Sequence, residues 1–164
     1  MPIITISSGL FSGGISIAEG LADKLQYPCV GREELYDSMK QFGLTDELYQ
    51  SVYDDLLSGL VYPGRRIAIL NMHRSALLRY AESGNLIYHG AVGHLLLSSI
   101  PNILRVRINV SMDLRIKTAM RSSSISHDQA VALIKKDDLE CETGARNLYD
   151  VDWKDPLLYD IVLN

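Results

Sequence analysis

The sequence predicts an α/β fold with a parallel, doubly wound sheet of roughly five strands. Short apolar runs alternate along the chain with stretches in which apolar residues recur at helical spacing, which is the pattern of strand-helix-strand units. The chain opens on such a unit, in which residues 3–6 lead through a small-residue loop into a helical stretch, and it closes on the apolar run 159–163. Helices on both faces of this sheet give a three-layer α/β/α arrangement.

The composition is that of one globular domain, expected to span residues 1–164. The chain is 47% hydrophobic and 22% charged, which is sufficient for a substantial core. A net charge of −4 argues against a protein that binds nucleic acid, because such a protein normally presents a basic face. Cys29 and Cys141 form no C-x-x-C pair, so we expect neither a disulfide framework nor a thiolate metal site, and a reducing, cytoplasmic setting. No apolar run approaches the roughly 20 residues of a membrane span, which predicts a soluble protein.

The loop at 7–14 has the small residues of a phosphate-binding turn but not its cation. A P-loop reads G-x-x-x-x-G-K-[ST], because loop amides and a helix N-terminus hold phosphate, the Lys neutralises it and the hydroxyl holds Mg²⁺. If Gly13 is the second motif glycine, Ser8 takes the first glycine position. Gly14 then stands in place of the Lys, and Ile15 in place of the hydroxyl.

A second register keeps both glycines of this motif. Gly9 and Gly14 have the required spacing, which places Ile15 at the Lys and leaves Ser16 as the hydroxyl. The cation is missing in both registers. A glycine-rich turn that binds no ligand is the remaining alternative, since glycine is also the ordinary residue of a tight strand-to-helix turn.

The next segments continue the alternation. Apolar spacing predicts a helix over 14–25 and a short buried strand at 27–30. Arg32 follows that strand in a loop, at the sheet edge where ligands collect in open α/β folds. The helical patterns from 34 to 83 exceed what a minimal strand-helix-strand unit requires, so we expect a helical insertion that covers the substrate. A third strand at 86–88 closes on His89 and a second small-residue loop.

The last third of the chain predicts two further strands and a lid. Residues 104–110 alternate strictly, which indicates a strand with one polar face in an edge-like or partly covered position. Two helices follow, and a lid-like segment is expected over about 121–148. Within it, Asp137 and Asp138 either hold Mg²⁺ through water or simply solvate a helix. The final strand lacks a covering helix, so we expect a fused neighbouring domain or a second chain, as in a homodimer, to cover it.

With these segments in order, the chain resembles the cytidylate-kinase-like family of P-loop nucleoside monophosphate kinases. The resemblance extends over nearly the whole chain and is most specific in the final block, Asp152-Trp153…Asp155-Pro156…Leu158-Tyr159-Asp160. Further matching blocks are Ser12-Gly13-Gly14, Ile17-Ala18-Glu19, Arg32-Glu33, Gly90-Ala91, Asn102-Ile103-Leu104-Arg105-Val106 and Arg115-Ile116.

The resemblance implies a P-loop kinase-like sheet, nucleotide ligands, and ATP and Mg²⁺ as cofactors. It implies that the loop holds the donor phosphates, that Arg115 and Arg121 face the donor, and that Arg146 belongs to the lid. Arg32 would approach the acceptor nucleotide, with His89 in place of a phosphate-binding Arg. The loop residues implied are Ser12, Gly13, Gly14, Ile15 and Ser16, the last also as the metal contact.

Three departures from the family pattern concern charge. Ile15 stands where a basic residue usually follows the two glycines, His89 where an Arg precedes Gly-Ala, and Cys141 where the lid usually has an Arg. Phosphoryl transfer depends on cations that neutralise the transferred group, and one arginine can contribute about 10³-fold or more in rate. The resemblance implies a kinase that transfers the terminal phosphoryl of ATP to a pyrimidine monophosphate, whereas the missing cations favour a different function. The alternative is a weakened or inactive nucleotide-binding or regulatory module.

Overall fold

The computed structural model describes residues 3–59, 63–82, 84–98 and 100–164. In this part of the chain, five parallel strands form one sheet with the order β2-β3-β1-β4-β5. The strands are β1 (Ile3–Ser8), β2 (Cys29–Val30), β3 (Leu86–His89), β4 (Ile103–Ile108) and β5 (Ile161–Leu163). The helices are α1 (Gly14–Leu25), α2 (Arg32–Lys40), α3 (Asp46–Ser58), α4 (Pro63–Ala81), α5 (Gly93–Leu96), α6 (Met112–Ser123) and α7 (His127–Tyr149), with a one-turn 3-10 helix at Pro156–Leu158.

Helices cover both faces of this sheet, because successive strand residues point to opposite sides. Ile4 and Ile6 of β1 pack with Ala18 and Ala22 of α1 in one buried cluster. Ile3, one residue earlier, belongs to a larger cluster on the opposite face, which includes residues of β3, α2, α4 and α5. The predicted parallel, three-layer α/β/α fold with five strands is therefore confirmed.

Two groups of helices stand outside the minimal strand-helix-strand pattern. The helices α2, α3 and α4 lie between β2 and β3, in the segment for which the sequence predicts a covering insertion. The helices α6 and α7 pack on each other through a separate cluster that includes Ile116, Ala119, Ala130 and Ile134. In this second pair, α7 reaches the loop after β1.

Some local predictions differ from the structure. The edge-like position expected for β4 is wrong, because β4 lies between β1 and β5 and its residue Arg107 is buried. The polar face of this strand is partly covered, as the alternative prediction has it, because Arg107 lies against Trp153 and Tyr159 while Arg105 and Asn109 remain in contact with solvent. Arg32 is the first residue of α2 and not a loop residue, and His89 is the last residue of β3. The exposed edge strand is β5.

None of the described helices combines the length and apolar character that a membrane crossing requires.

Candidate functional site

The loop between β1 and α1 has the backbone of an anion-binding turn. Phe11 and Gly13 are both left-handed, with φ of 59° and 74°, and they flank Ser12. Such alternation turns neighbouring N–H groups toward one side of the chain and forms a concave anion site. Gly13 is the N-cap of α1, whose first residue is Gly14. Because the first N–H groups of a helix have no intrahelical acceptor, they are available to a ligand at this end.

Arg115 of α6 lies directly on this loop. Its Nε donates to the carbonyl oxygen of Leu10 at 2.8 Å. Its guanidinium occupies the space that a side chain at Gly9 would fill, since a Cβ there would lie 2.6 Å from Nη2. The remaining donors form a bidentate ion pair with Asp138 of α7, at 2.8 and 2.7 Å. The loop therefore has a buried cation beside it, and a carboxylate already binds that cation.

A second carboxylate of α7 also reaches the loop. Asp137 Oδ2 accepts the N–H of Leu10 at 3.2 Å. Burial raises the pKa of this carboxyl above its ordinary value, opposed by the Leu10 hydrogen bond, with a further rise from the charge of Asp138. Asp137 and Asp138 thus contact the phosphate-type loop and its arginine, where anionic phosphate oxygens would otherwise be expected.

The predicted acceptor-side residues also lie close together. Arg32 donates from Nη2 to the Tyr49 hydroxyl at 3.2 Å and lies 5.8 Å from the centre of the Tyr53 ring. The imidazole of His89 packs on Gly31, at the point where a Cβ would collide with it. His89 therefore lies beside the start of α2, the helix that begins at Arg32.

The helix α7 touches this acceptor side as well. The Tyr53 hydroxyl donates to Glu140 Oε2 at 2.5 Å. Burial, with the neighbouring charges of Asp137 and Asp138, raises the pKa of the Cys141 thiol to about 12. One helix therefore contacts both the loop after β1 and Tyr53, which lies next to Arg32.

The other two predicted arginines are not brought to the loop. Arg121 is exposed in the last turn of α6, and no hydrogen bond or ion pair connects it to another residue of the described chain. Arg146 forms an exposed ion pair with Glu142 at 3.2 Å, one turn earlier on α7. Of the three predicted catalytic arginines, only Arg115 contacts the loop in this conformation.

Arg107 of β4 is a buried cation that is not among the site residues predicted from the sequence. It is 7% exposed, and its guanidinium carbon lies 4.4 Å from the centre of the Trp153 ring. Its Nε donates to Asn109 Oδ1, and its Nη1 to the Trp153 carbonyl and the Tyr159 hydroxyl. The signal was present in two places, as the alternation in β4 and as the aromatic block 152–160. Neither pattern alone indicates that the aromatic block covers Arg107 of the strand.

Arg107 and Arg115 share a cavity of about 60 Å³ with the loop. Its other charged lining residues are Asp138 and Lys154, and the loop contributes Gly9 and Ser12. Three cations face one carboxylate there, which favours an anion. The described residues include no cluster of three or more His, Cys, Asp or Glu side chains, so a magnesium ion here would take most of its ligands from phosphate oxygens and water.

His94 of α5 is a further buried polar residue close to this region. Its Nδ1 lies 3.3 Å from the Ser7 hydroxyl, and its ring contacts the Tyr159 ring. Burial, together with the charges of Arg105 and Arg107, lowers the pKa of His94 to about 4. The imidazole is therefore neutral at pH 7.

Comparisons with known proteins agree with the fold. Among solved structures, an uncharacterised protein from Eubacterium ventriosum is 22% identical over 99% of this chain and 87% of its own, with a TM-score of 0.77. Shikimate kinases from Bacteroides thetaiotaomicron and Acinetobacter baumannii are 15% and 13% identical, with TM-scores of 0.54 and 0.51. They cover 99% and 100% of this chain, and the similarity spans 85% and 83% of their own chains. At these identities the likeness shows the fold of P-loop kinases alone.

No curated protein matches the sequence. The profile of the cytidylate kinase-like family matches residues 3–164, almost the entire chain. With the strand order, the loop after β1 and the arginine beside it, this match is sufficient to classify the protein. The chain belongs to the cytidylate kinase-like family.

Proposed function

We propose that this protein binds ATP at the loop after β1 and transfers its terminal phosphoryl group to a pyrimidine nucleoside monophosphate. The observation that carries the proposal is the loop itself. Its left-handed residues Phe11 and Gly13, the start of α1 at Gly14, and the packing of Arg115 on Gly9 together form a phosphate-type pocket. Family membership supports kinase chemistry at this position.

On the donor side, the loop amides from Ser12 to Ser16 hold the phosphates and Arg115 neutralises their charge. Guanidinium suits this role, because it binds two phosphate oxygens at once. Arg115 first has to leave Asp138, so the donor displaces α7 from the loop. ATP with Mg²⁺, when bound, supplies the transferable phosphoryl group. Arg121 and Arg146 join the site only when α6 and α7 rearrange around the donor.

The position of the metal contact depends on the motif register. The start of α1 at Gly14 favours the register in which Gly13 is the second motif glycine. Ile15 then stands at the position of the hydroxyl. We retain Ser16, whose side chain is exposed one residue further along the helix, as the proposed contact of Mg²⁺.

On the acceptor side, Arg32 and His89 hold the monophosphate. Arg32 is oriented by its hydrogen bond to Tyr49 and by the ring of Tyr53. His89 is positioned by its packing on Gly31, and it provides one hydrogen bond where the family usually has an arginine. We propose that these two residues hold the acceptor while the loop after β1 holds the donor.

A second candidate function is a nucleotide-binding module that regulates a partner without transferring phosphate. One specific observation favours it, namely that the loop has no Lys while its nearest arginine is bound to Asp138. Since transfer depends on free cations around the moving group, their loss reduces catalysis more than it reduces binding.

Calorimetry and a turnover assay separate these two functions. ATP with Mg²⁺ and CMP are titrated separately, and ADP formation is then measured with both present. The proposed kinase binds each ligand and forms ADP only when CMP is present. Binding without turnover would favour the regulatory module, and no binding of either nucleotide would exclude both functions.

A matched pair of variants tests the loop. Ile15→Lys places a cation in the first turn of α1, and Ile17→Lys places the same charge two residues further on. Both isoleucines are exposed, at 57% and 48%. If the loop holds the donor phosphates, I15K raises ATP affinity several-fold over wild type and I17K does so far less. An equal effect of both variants would show that only the net charge of the protein had changed.

A further inference from the structure

Arg107 is a buried cation without an acidic partner among the described residues. Its three hydrogen-bond acceptors are all neutral, and the Trp153 and Tyr159 rings lie 4.4 and 5.4 Å from its guanidinium carbon. Burying a charge is costly unless hydrogen bonds and opposite charge compensate for it. The acceptors and rings around Arg107 hold the side chain in one place but leave its charge uncancelled.

The guanidinium of Arg107 also has donors to spare. An arginine has five N–H groups on three nitrogens. Nε and Nη1 make all of the hydrogen bonds found for Arg107 in the described chain, and Nη2 makes none. Fixed in position with one nitrogen free, the group is preorganised to bind an anionic oxygen.

Arg107 is also next to the loop. In the sheet it pairs with Ser7, two residues before Gly9. It lines the same cavity as Gly9, Ser12 and Arg115. The cavity volume of about 60 Å³ corresponds to about two water molecules in the liquid, which suits a single phosphate-sized group and not a whole nucleotide.

We propose that Arg107 is a phosphate-binding residue of the donor site and supplies the cation that the loop lacks. The inference rests on the proposed function and adds a residue to it. In a P-loop the Lys reaches the phosphates from the first turn of the helix, whereas here the charge arrives from the neighbouring strand β4. Its ligand is an oxygen of the polyphosphate chain, held between the guanidinium of Arg107 and the loop.

Inorganic tripolyphosphate is the probe, because it has the charge of the donor without the base. Affinity is measured by calorimetry on the full chain as wild type, Arg107→Met, Arg107→Lys and Arg105→Met. Arg105 is the matched control, since it lies on the same strand, two residues away, and is engaged with Asp160 at 2.7 Å. Because R107M removes a charge-assisted hydrogen bond to the anion, we expect its affinity for tripolyphosphate to fall about tenfold or more. We expect R107K to retain most of the affinity and R105M to retain nearly all of it.

A second readout needs no variant, because Trp153 is the chain's single tryptophan and stacks on Arg107. Tripolyphosphate binding at Arg107 changes the fluorescence of Trp153 in the wild-type protein. The midpoint of this fluorescence change coincides with the midpoint of binding measured by calorimetry. This readout decides the matter if R107M does not fold.

The outcomes separate the two proposals. If wild type and R107M bind tripolyphosphate equally well, the role of Arg107 is overturned, and the proposed donor site is unaffected. Binding without a change in Trp153 fluorescence would also overturn the role of Arg107. Wild type that binds neither tripolyphosphate nor ATP would overturn the proposed function itself.

Discussion

At the scale of single residues, the site depends on close approach between a backbone and a guanidinium. Arg115 packs where Gly9 has no side chain, and its Nε donates to the next carbonyl oxygen along the loop. An alanine at this position would push its Cβ to 2.6 Å from Nη2, so the side chain or the loop would have to move. Gly9 therefore permits the close packing of Arg115 on the loop as well as the turn after β1.

His94 gives a pH-dependent prediction at the same scale. Its pKa is about 4 in the folded protein and near 6.5 in the unfolded chain. Between these values the unfolded chain binds a proton that the folded protein does not, so stability falls as pH is lowered from 6.5 to 4. The loss attributable to His94 amounts to at most about 3 kcal/mol.

Urea unfolding at pH 7 and at pH 4.5 tests this prediction, with His94→Gln as the comparison. The variant should lose less stability than wild type on acidification. His73, whose pKa burial also lowers, is present in both proteins and cancels. The same loss in both proteins would mean that another group controls acid stability.

At the scale of elements, α7 is the helix that relates the two sides of the site. At the N-terminus of α7, the Ser126 hydroxyl accepts a hydrogen bond from the backbone N–H of Gln129. The Gln129 side chain in turn accepts one from the backbone N–H of Ser126. This reciprocal cap fixes where the helix begins and therefore which residues face the loop. With that register, Asp138 meets Arg115 beside the loop, and Glu140 meets Tyr53 next to Arg32.

Asp138→Asn is predicted to affect stability and phosphate binding in opposite directions. The variant leaves Arg115 without its carboxylate, which should lower the unfolding free energy by about 1–3 kcal/mol. It also frees the guanidinium, so tripolyphosphate affinity should rise several-fold. Thermal unfolding with and without tripolyphosphate measures both effects.

Asp128→Asn is the control, because it makes the same change on α7 at an exposed carboxylate that pairs with His127. Its effect on both quantities should be small. If D138N weakened tripolyphosphate binding, Asp138 would be a support of the phosphate site and not a competitor for it.

At the scale of the whole molecule, the helical insertion shares its core with the sheet. Leu77 of α4 is fully buried in the same cluster as Leu86 and Tyr88 of β3 and Leu97 after α5. The helix that begins at Arg32 shares this cluster with β1 and β3, and is thus packed on the strands that position the loop. We propose on this basis that residues 1–164 unfold as one unit.

Leu77→Ala tests whether the insertion and the sheet unfold together. Leu78→Ala, at the exposed neighbouring position, is the control. The buried variant should lose about 2–5 kcal/mol, and L78A less than about 1 kcal/mol. Unfolding is followed by far-ultraviolet circular dichroism and by the fluorescence of Trp153, which lies outside the Leu77 cluster. Both signals should shift together in L77A, whereas an unchanged Trp153 midpoint would indicate a separately unfolding insertion.

The parts of the structure that sequence could predict are those set by local pattern. The strand-loop-helix at 3–25 follows from a β-branched run, three glycines and apolar spacing, and the cap at Ser126 follows from its Gln129. Arg107 could not be predicted in the same way. Its alternating strand looks half-solvated until Trp153 and Tyr159, 46 and 52 residues later, cover it.

The candidate site was predicted only in part for the same reason. Arg115 and the loop were identified from motif and resemblance, but the pairing with Asp138 depends on how α6 and α7 pack. That packing rests on tertiary contacts across a turn at 124–126, which no local spacing encodes. The roles proposed for Arg121, Arg146, Arg32, His89 and Ser16 remain predictions.

The ion pair between Arg115 and Asp138 also has a consequence for how affinities measured on this protein should be understood. If phosphate binds only molecules in which α7 has left the loop, the observed dissociation constant equals the intrinsic one divided by the fraction of such molecules. Each 1.4 kcal/mol that favours the docked helix weakens the observed affinity about tenfold. A weak measured constant is therefore compatible with a well-formed loop, and any partner that draws α7 away tightens nucleotide binding without touching the nucleotide.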